Sequence, residues 1–285
     1  MIKIVRYLFQ SIIIYFFFII GKIIGIRLSR NLFGYIFKKL GPLFKSKKII
    51  KKNLENLKNL TEEQKKIIIS KMWENYGIVF IEYIFLDKFR REKDIIKVEG
   101  KEILDDIIKS GKPAIFVSGH FSNFELMSLY MTKSGLKLAT IYRPLNNFFL
   151  NPFMEYLRKK FVCQNQIKKG VNGVREAIDF VKKNYSIALM IDQRVSEGEK
   201  INFFGNPALT TTLPAQIAIK YNLPIIPVFI KRDKDNSFTI KFFKKIIHTD
   251  FRDKLELTLR LNQIIEQMIV INPHEWIWTH NRWKS

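Results

Sequence analysis

Residues 113–127 read Pro-Ala-Ile-Phe-Val-Ser-Gly-His-Phe-Ser-Asn-Phe-Glu-Leu-Met. Residues 114–117 form a short apolar run that is typical of a buried strand, and Gly119 ends it. A helical pattern follows, so the stretch predicts a strand, a tight loop and a helix. His120 lies in the loop, and Glu125 lies where the helix starts. In an open α/β sheet ligands bind at the carboxyl ends of the strands, so this loop is the first candidate for a functional site.

Two interpretations of His120 and Glu125 fit this spacing. A histidine changes charge near neutral pH and suits a general base, and a nearby carboxylate would hold it in one orientation. Alternatively, Ser122 and Glu125 match a capping box that opens the helix, and His120 is an ordinary loop residue. A carboxylate accepts several hydrogen bonds, so Glu125 can serve both purposes.

The composition is that of a folded and strongly basic chain of 285 residues, 47% of them hydrophobic. This length suits one large domain or a domain with an appendage. The net charge of +23, from 49 Lys+Arg against 26 Asp+Glu, favours an anionic partner such as nucleic acid, an anionic membrane surface or an acidic protein. The single cysteine, Cys163, excludes an intrachain disulfide and a multi-cysteine metal site. The histidines outside the loop lack the spacing of metal ligands, so we predict no metal and no cofactor.

The N-terminal segment is apolar and predicts a membrane anchor. Residues 7–21 carry no charge, and residues 23–26 extend the run to the roughly 20 residues that cross a bilayer. A signal peptide is the alternative, but no small-residue cleavage site follows. We predict an anchor in 1–45, spanning the bilayer or lying deep in its interface, and a catalytic domain in 46–285. The basic excess after the anchor predicts a cytoplasmic (inner) membrane location with the catalytic domain facing the cytoplasm.

Strand and helix patterns alternate from residue 113 to residue 230. This alternation predicts an α/β fold with a mainly parallel central sheet flanked by helices, preceded by the N-terminal membrane-anchoring helix. Arg143 and residues 192–194 each follow a predicted strand, so we expect them beside His120 at one edge of the sheet. Near the C-terminus, Trp276, Trp278, His280 and Arg282 stand at every second position, which favours an extended chain.

Four motifs follow one another along the chain. They are Gly-His-Phe-Ser-Asn-Phe-Glu at 119–125, an H-x4-D/E signature in its Glu form; Tyr-Arg-Pro at 142–144; Asp-Gln-Arg at 192–194, with Phe-Phe-Gly-Asn-Pro-Ala at 203–208 and three threonines at 210–212; and Trp-Ile-Trp-Thr-His-Asn-Arg-Trp-Lys at 276–284. In these motifs and in its apolar N-terminus the chain resembles the bacterial lipid A late acyltransferases, a family within the lysophospholipid acyltransferase superfamily. The resemblance covers nearly the whole chain.

The resemblance implies an O-acyltransferase that moves a fatty acyl chain from an acyl-carrier-protein thioester to a hydroxyl of a lipid A precursor, without a metal or a covalent intermediate. It implies that His120 removes the hydroxyl proton as general base, and that Glu125 orients His120 and stabilises its imidazolium form. On that mechanism Glu125→Gln lowers the rate strongly. The candidate substrate-binding residues are Asn123, Arg143, Asp192, Gln193, Arg194, Phe203 and Phe204.

Several of these candidates have a second interpretation. Arg143 is expected to bind an acceptor phosphate or the reaction's oxyanion, or else is a surface arginine. Asp192 would hold Arg143 or a substrate hydroxyl, or else caps a helix or turn. Phe203 and Phe204 would line an acyl groove or pack in the core. The expected partners are acyl-carrier protein, anionic membrane lipid beside the basic residues 26–52, and the lipid A precursor, with no nucleic acid.

Other functions remain as alternatives at this stage. An acyltransferase of the same superfamily that uses acyl-CoA to acylate a lysophospholipid or another glycolipid would carry the same His120 and Glu125. The non-enzyme alternative is an inactive membrane or nucleic-acid-binding module, prompted by the net charge of +23. The basic residues are concentrated beside an apolar anchor and the H-x4-E signature is intact, which favours the enzyme.

Overall fold

The computed structural model describes residues 2–92 and 94–284. The α-helices are α1 (Ile2–Phe44), α2 (Lys47–Leu54), α3 (Glu62–Glu82), α4 (Leu86–Arg91), α5 (Lys101–Ser110), α6 (Glu125–Lys133), α7 (Asn151–Leu157), α8 (Val171–Lys182), α9 (Leu213–Tyr221) and α10 (Lys254–Ile271). The strands are β1 (Ile96–Glu99), β2 (Ile115–Ser118), β3 (Leu138–Tyr142), β4 (Asn165–Lys168), β5 (Ser186–Met190), β6 (Glu199–Phe203), β7 (Asn206–Thr210), β8 (Ile225–Arg232) and β9 (Phe238–Phe242).

Seven strands form one central sheet in the order β1-β9-β8-β2-β5-β3-β4. Every neighbouring pair is parallel except β8 and β9, which are antiparallel. All four residues of β2 are buried, as expected for a central strand that helices cover on both faces. The predicted α/β fold with a mainly parallel sheet is therefore confirmed. Strands β6 and β7 form a separate antiparallel hairpin that the strand–helix alternation did not predict.

Because β2, β3, β5 and β8 run in the same direction, their carboxyl ends meet at one edge of the sheet. We call this the carboxyl edge. The loops that leave it carry His120, Arg143 and residues 192–194, as the sequence predicted.

Two local expectations near this edge are wrong: the capping box at Ser122 and the extended C-terminal tail. Ser122 does not cap α6: the helix begins at Glu125 with Phe124 as its N-cap residue, and Ser122 has a left-handed backbone with φ 43°. The Ser122 N–H instead donates to the Glu275 carbonyl oxygen at 3.2 Å, which ties the loop to the C-terminal tail.

The tail itself is folded into tight turns and is not an extended strand. Trp278 N–H donates to the Trp276 carbonyl oxygen at 3.2 Å. The two indoles pack edge to face at 4.7 Å, and both are buried. The residues of this tail bond to one another and to distant parts of the chain, as Asn53 Nδ2 does to the Trp278 carbonyl oxygen at 2.8 Å, and within the described residues they pair with no strand.

The N-terminal helix is long, apolar and bent. Its backbone leaves the helical conformation at Gly25, where φ is 77°, a left-handed value that favours glycine. Beyond the bend α1 packs on itself and on α3, with the Phe33 ring 5.4 Å from Phe17 and 5.9 Å from Phe80. Among the described residues α1 is the one helix long and apolar enough to cross a membrane, and only 17% of its most apolar window is buried.

Candidate active site

His120 and Asp192 are brought together by the register of two parallel strands. Ser118, the last residue of β2, lies opposite Met190, the last residue of β5. His120 and Asp192 each lie two residues beyond these ends, so the two loops carry them to the same place. The His120 Nδ1 atom lies 2.8 Å from Asp192 Oδ1, and the His120 backbone N–H donates to Asp192 Oδ2 at 2.9 Å.

The Asp192 carboxylate is buried and fully engaged. Trp276 Nε1–H donates a third hydrogen bond to Oδ2 at 2.8 Å. Burial alone would raise the pKa of Asp192, but His120 and these hydrogen bonds lower the pKa to about 2. A side chain at position 119 would press on this carboxylate, because a Cβ there would lie 3.2 Å from Asp192 and 2.8 Å from Phe121. Gly119 is therefore required for the close approach.

This arrangement defines the chemistry that His120 can perform. An ionised carboxylate only accepts hydrogen bonds, so the Nδ1 atom of His120 carries the proton. Nε2 is then the basic nitrogen. The His120 side chain is 21% exposed and lines a cavity, so a bound molecule can reach it. The pair is arranged as a general base with its orienting acid.

The structure does not join Glu125 to His120, and this expectation is corrected. Glu125 Oε1 accepts hydrogen bonds from Arg158 Nε and from the Tyr83 hydroxyl, both at 2.7 Å. Glu125 occupies the first turn of α6, and its partners Tyr83 and Arg158 are the residues that directly follow α3 and α7. Although burial would lower the pKa of Arg158, Glu125 and Tyr83 raise it, so the guanidinium stays charged. The residue that orients His120 is Asp192, which was expected to contact substrate or Arg143.

The cavity at the carboxyl edge has a volume of about 370 Å³. Its charged and polar lining includes His120, Glu125, Arg143, Arg158, Lys169, Gln193, Arg194 and His280. Part of the remaining wall is apolar and includes Phe124, Ile141, Leu189 and Leu213. Three of the predicted substrate-binding residues, Arg143, Gln193 and Arg194, thus lie on this cavity. A larger cavity of about 700 Å³ lies near Pro113 and Pro224, at the opposite edge of the sheet, and holds none of these groups.

Three other predicted substrate-binding residues do not line the cavity. Asn123 is buried, and its Nδ2 donates to Glu82 Oε2 at 3.0 Å, so it fixes the loop from behind. Phe203 is fully buried against Trp283, with ring centroids 5.6 Å apart. The neighbouring Phe204 packs on Phe203 at 5.2 Å. Both phenylalanines belong to an aromatic cluster, because the β6–β7 hairpin packs them against Trp283 of the tail.

Sequence reasoning missed Arg158, Lys169 and His280 as cavity residues. Arg158 and Lys169 lie in lysine-rich stretches where no spacing distinguishes one basic residue from another. His280 belongs to the last of the four motifs, and this membership was the one feature of the sequence that could have indicated a role at the cavity. Its position at the cavity depends on the turns of the tail, which the alternation of tryptophans did not predict.

Comparison with known proteins gives this site its chemical context. The family described as bacterial lipid A biosynthesis acyltransferase matches residues 2–285. The chain belongs to this family. The predicted resemblance is thereby confirmed, and the cavity is the candidate active site of an acyltransferase.

Two relatives have names that agree with this assignment. The chain is 26% identical over 261 residues to a lipid A biosynthesis acyltransferase of Haemophilus influenzae, covering 89% of this chain and 82% of the relative. It is 25% identical over 247 residues to the lipid A biosynthesis palmitoleoyltransferase of Escherichia coli, covering 83% and 78%. Among solved structures it is similar to the 1-acyl-sn-glycerophosphate acyltransferase of Thermotoga maritima, with 16% identity, a TM-score of 0.41, and 88% and 97% of the two chains covered.

Proposed function

We propose that this acyltransferase moves a fatty acyl chain from an acyl-carrier-protein thioester to a hydroxyl of a lipid A precursor at a membrane surface. The observation that carries the proposal is His120, held at Nδ1 by the buried Asp192 and lining the cavity. An alcohol is a poor nucleophile until a base removes its proton, and a positioned histidine supplies this function.

The proposed reaction needs only one general base, and His120 returns to its starting state at the end. The acceptor hydroxyl oxygen attacks the thioester carbonyl carbon while His120 Nε2 takes the hydroxyl proton. Asp192 stabilises the resulting imidazolium. The tetrahedral intermediate then expels the thiolate, which recovers the proton from His120, and the ester product leaves. General-base assistance of this kind contributes roughly 10²- to 10⁴-fold to the rate.

The charges around the cavity suit an anionic acceptor. Arg143 and Lys169 are exposed where they line it, and Arg194 is half-buried. Arg158 is paired with Glu125, and Arg194 Nε donates to the Lys284 carbonyl oxygen at 2.9 Å. Arg143 and Lys169 have no side-chain partner within the described residues, so these two cations are the first candidates to bind phosphate groups of a lipid A precursor. The apolar part of the wall offers a surface for an acyl chain.

The outer face of α1 is the surface that we assign to the membrane. Its exposed apolar residues include Val5, Phe9, Ile12, Phe16 and Ile19. The loop after β3 joins this face to the cavity. Leu145 in that loop is exposed and lines the cavity, and Phe148 packs on Tyr7 of α1 at 6.0 Å. A lipid acceptor can therefore pass from the surface beside α1 to His120.

The contacts along α1 support a position in the membrane interface. Ser11 Oγ donates to Asn147 Oδ1 at 3.0 Å, and Lys22 Nζ lies 3.2 Å from Asp87 Oδ1. The helix is thus tied to the folded chain at two points along its length. A helix held lengthwise against the domain, with one apolar face free, suits the plane of one leaflet, on the cytoplasmic side of the inner membrane.

The test is acyl transfer by the purified full chain, followed by mass spectrometry of the lipid product. We expect one acyl chain added to a lipid A precursor with an acyl-carrier-protein donor, and loss of this product in His120→Ala. A product formed only from acyl-CoA, or only on a lysophospholipid, would contradict the proposed donor or acceptor. Unchanged turnover in His120→Ala, with wild-type stability, would contradict the mechanism.

A further inference from the structure

His280 is held in one tautomer by a backbone hydrogen bond. Its Nε2 accepts the Arg194 backbone N–H at 2.9 Å. A neutral imidazole that accepts at Nε2 carries its proton on Nδ1. His280 therefore presents an Nδ1–H donor, the opposite polarity from the basic nitrogen that His120 presents to the same cavity.

This donor is not used inside the protein. Among residues 2–92 and 94–284 no acceptor pairs with His280 Nδ1, and the atom is absent from the set of buried polar atoms that lack a partner. His280 is half-buried and lines the cavity. The Nδ1–H is therefore the group that this side chain offers to a bound molecule.

The surroundings keep His280 rigid and uncharged. Asn53 Nδ2 donates to the His280 carbonyl oxygen at 2.7 Å and to the Trp278 carbonyl oxygen at 2.8 Å. Burial, with the positive charges of Arg282 and Arg143, lowers the pKa of His280 to about 4 against the attraction of Asp192. At neutral pH His280 is thus a fixed neutral donor that does not compete with His120 for the proton.

We propose that His280 donates its Nδ1–H to the thioester carbonyl oxygen as negative charge develops there during attack. The proton stays on Nδ1, and only a hydrogen bond forms and strengthens. A donor fixed before the reaction stabilises an oxyanion without reorganising. Arg143, the residue predicted for this role from sequence, is exposed and makes no hydrogen bond within the described chain. This inference rests on the proposed acyl transfer.

Two substitutions separate the donor from the tautomer-fixing bond. In His280→Gln the amide oxygen reaches the Nε2 position and accepts the Arg194 N–H, but no donor stands at the Nδ1 position. In His280→Asn the amide N–H stands near the Nδ1 position, and the Arg194 N–H loses its acceptor. His280→Gln thus removes the donor at Nδ1, and His280→Asn removes the acceptor at Nε2.

The measurements are kcat, KM and Tm in the acyl-transfer assay in which the wild type is active. We expect His280→Gln to lose roughly 10²- to 10³-fold in kcat, with KM changed less than about threefold and Tm near wild type. We expect His280→Asn to keep more kcat than the Gln variant and to have the lower Tm. The acid limb of the kcat profile against pH stays in place in His280→Gln, since His120 remains the base.

Three outcomes would overturn the inference. The first is a wild-type kcat in His280→Gln. The second is a larger loss of kcat in His280→Asn than in His280→Gln, because the hydrogen bond from the Arg194 N–H would then be the one that matters. A shifted acid limb in His280→Gln would make His280 the titrating base. A wild type that transfers no acyl chain to any hydroxyl lipid would instead refute the proposed function, whatever the variants do.

Discussion

At the scale of single residues, His120 and Asp192 meet because each lies two residues beyond a matched pair of strand ends. Asp192 accepts from both nitrogens that His120 offers it, the ring Nδ1 and the backbone N–H. It therefore sets the position and the tautomer of the base together. Glu125, which is closer in sequence, accepts from Arg158 and shapes the cavity wall.

This difference predicts the order of two matched substitutions. Asp192→Asn keeps the shape but removes the charge that stabilises the imidazolium, so we expect kcat to fall by roughly 10³- to 10⁴-fold. Glu125→Gln serves as the matched control. Its loss of kcat should be clearly smaller, since Glu125 makes no hydrogen bond to His120 within the described chain. Steady-state kinetics on both variants checks this order. An equal or larger loss in Glu125→Gln would restore Glu125 as the orienting residue.

At the scale of elements, α1 has one side that packs on the rest of the protein and one apolar side that is exposed. One side packs on α3 and on the loop after β3, as the contacts of Phe33 with Phe80 and of Ser11 with Asn147 show. The other side is apolar and exposed over several turns. The bend at Gly25 lets the helix follow the domain while this second side stays free.

We therefore expect the outer face of α1 to control membrane binding. The double variant Phe9→Ser and Phe16→Ser removes two exposed rings, each worth about 1.5–3 kcal/mol when fully buried in an apolar phase. Sedimentation with vesicles of anionic phospholipid should show at least a tenfold weaker binding, with Tm unchanged.

The control for this experiment lies on α10. Val270 and Ile271 are similarly exposed, at 60% and 64%, on a different element. Val270→Ser with Ile271→Ser should leave vesicle binding near wild type. Equal weakening by both double variants would mean that α1 is not the membrane-binding surface.

At the scale of the whole molecule, one buried ion cluster joins the N-terminal helix to the candidate site. Glu82 accepts from Arg30 at 2.7 Å and from Arg232 at 2.6 and 2.9 Å. Asn123, in the loop that carries His120, donates to the same carboxylate. Although burial raises the pKa of Glu82, Arg232 and Arg30 bring it below its usual value.

Removing this one carboxylate should be strongly destabilising, because it leaves two buried cations uncompensated. We expect Glu82→Gln to lower the free energy of unfolding by about 3–5 kcal/mol. The exposed pair of Glu74 with Lys38 supplies the control, and Glu74→Gln should cost less than about 1 kcal/mol. Urea unfolding measures both, and a Glu82→Gln cost as small as that of Glu74→Gln would contradict the role of the cluster.

The sign of the pH dependence follows from the lowered pKa. The stabilisation from Glu82 is fully present above its unfolded pKa of about 4.3 and is lost as the pH falls through the lower folded value. Wild type should therefore lose stability below about pH 4 more steeply than Glu82→Gln.

The sequence by itself determined the α/β class of the fold and the edge of the sheet at which the candidate residues lie. Strand and helix patterns that alternate along the chain predicted the parallel sheet, and the strand ends located His120, Arg143 and residues 192–194. Each of these inferences depends on local periodicity, turn chemistry or the common direction of parallel strands, which a linear pattern records.

Only the tertiary structure decided which side chains face one another. His120 and Asp192 are 72 residues apart, and their contact depends on the β2–β5 register, whereas Glu125 is near in sequence but turned toward Arg158. The packing of distant elements likewise buries Phe203 and places His280 at the cavity. Side-chain pairing depends on how distant elements pack, and no spacing along the chain encodes that direction.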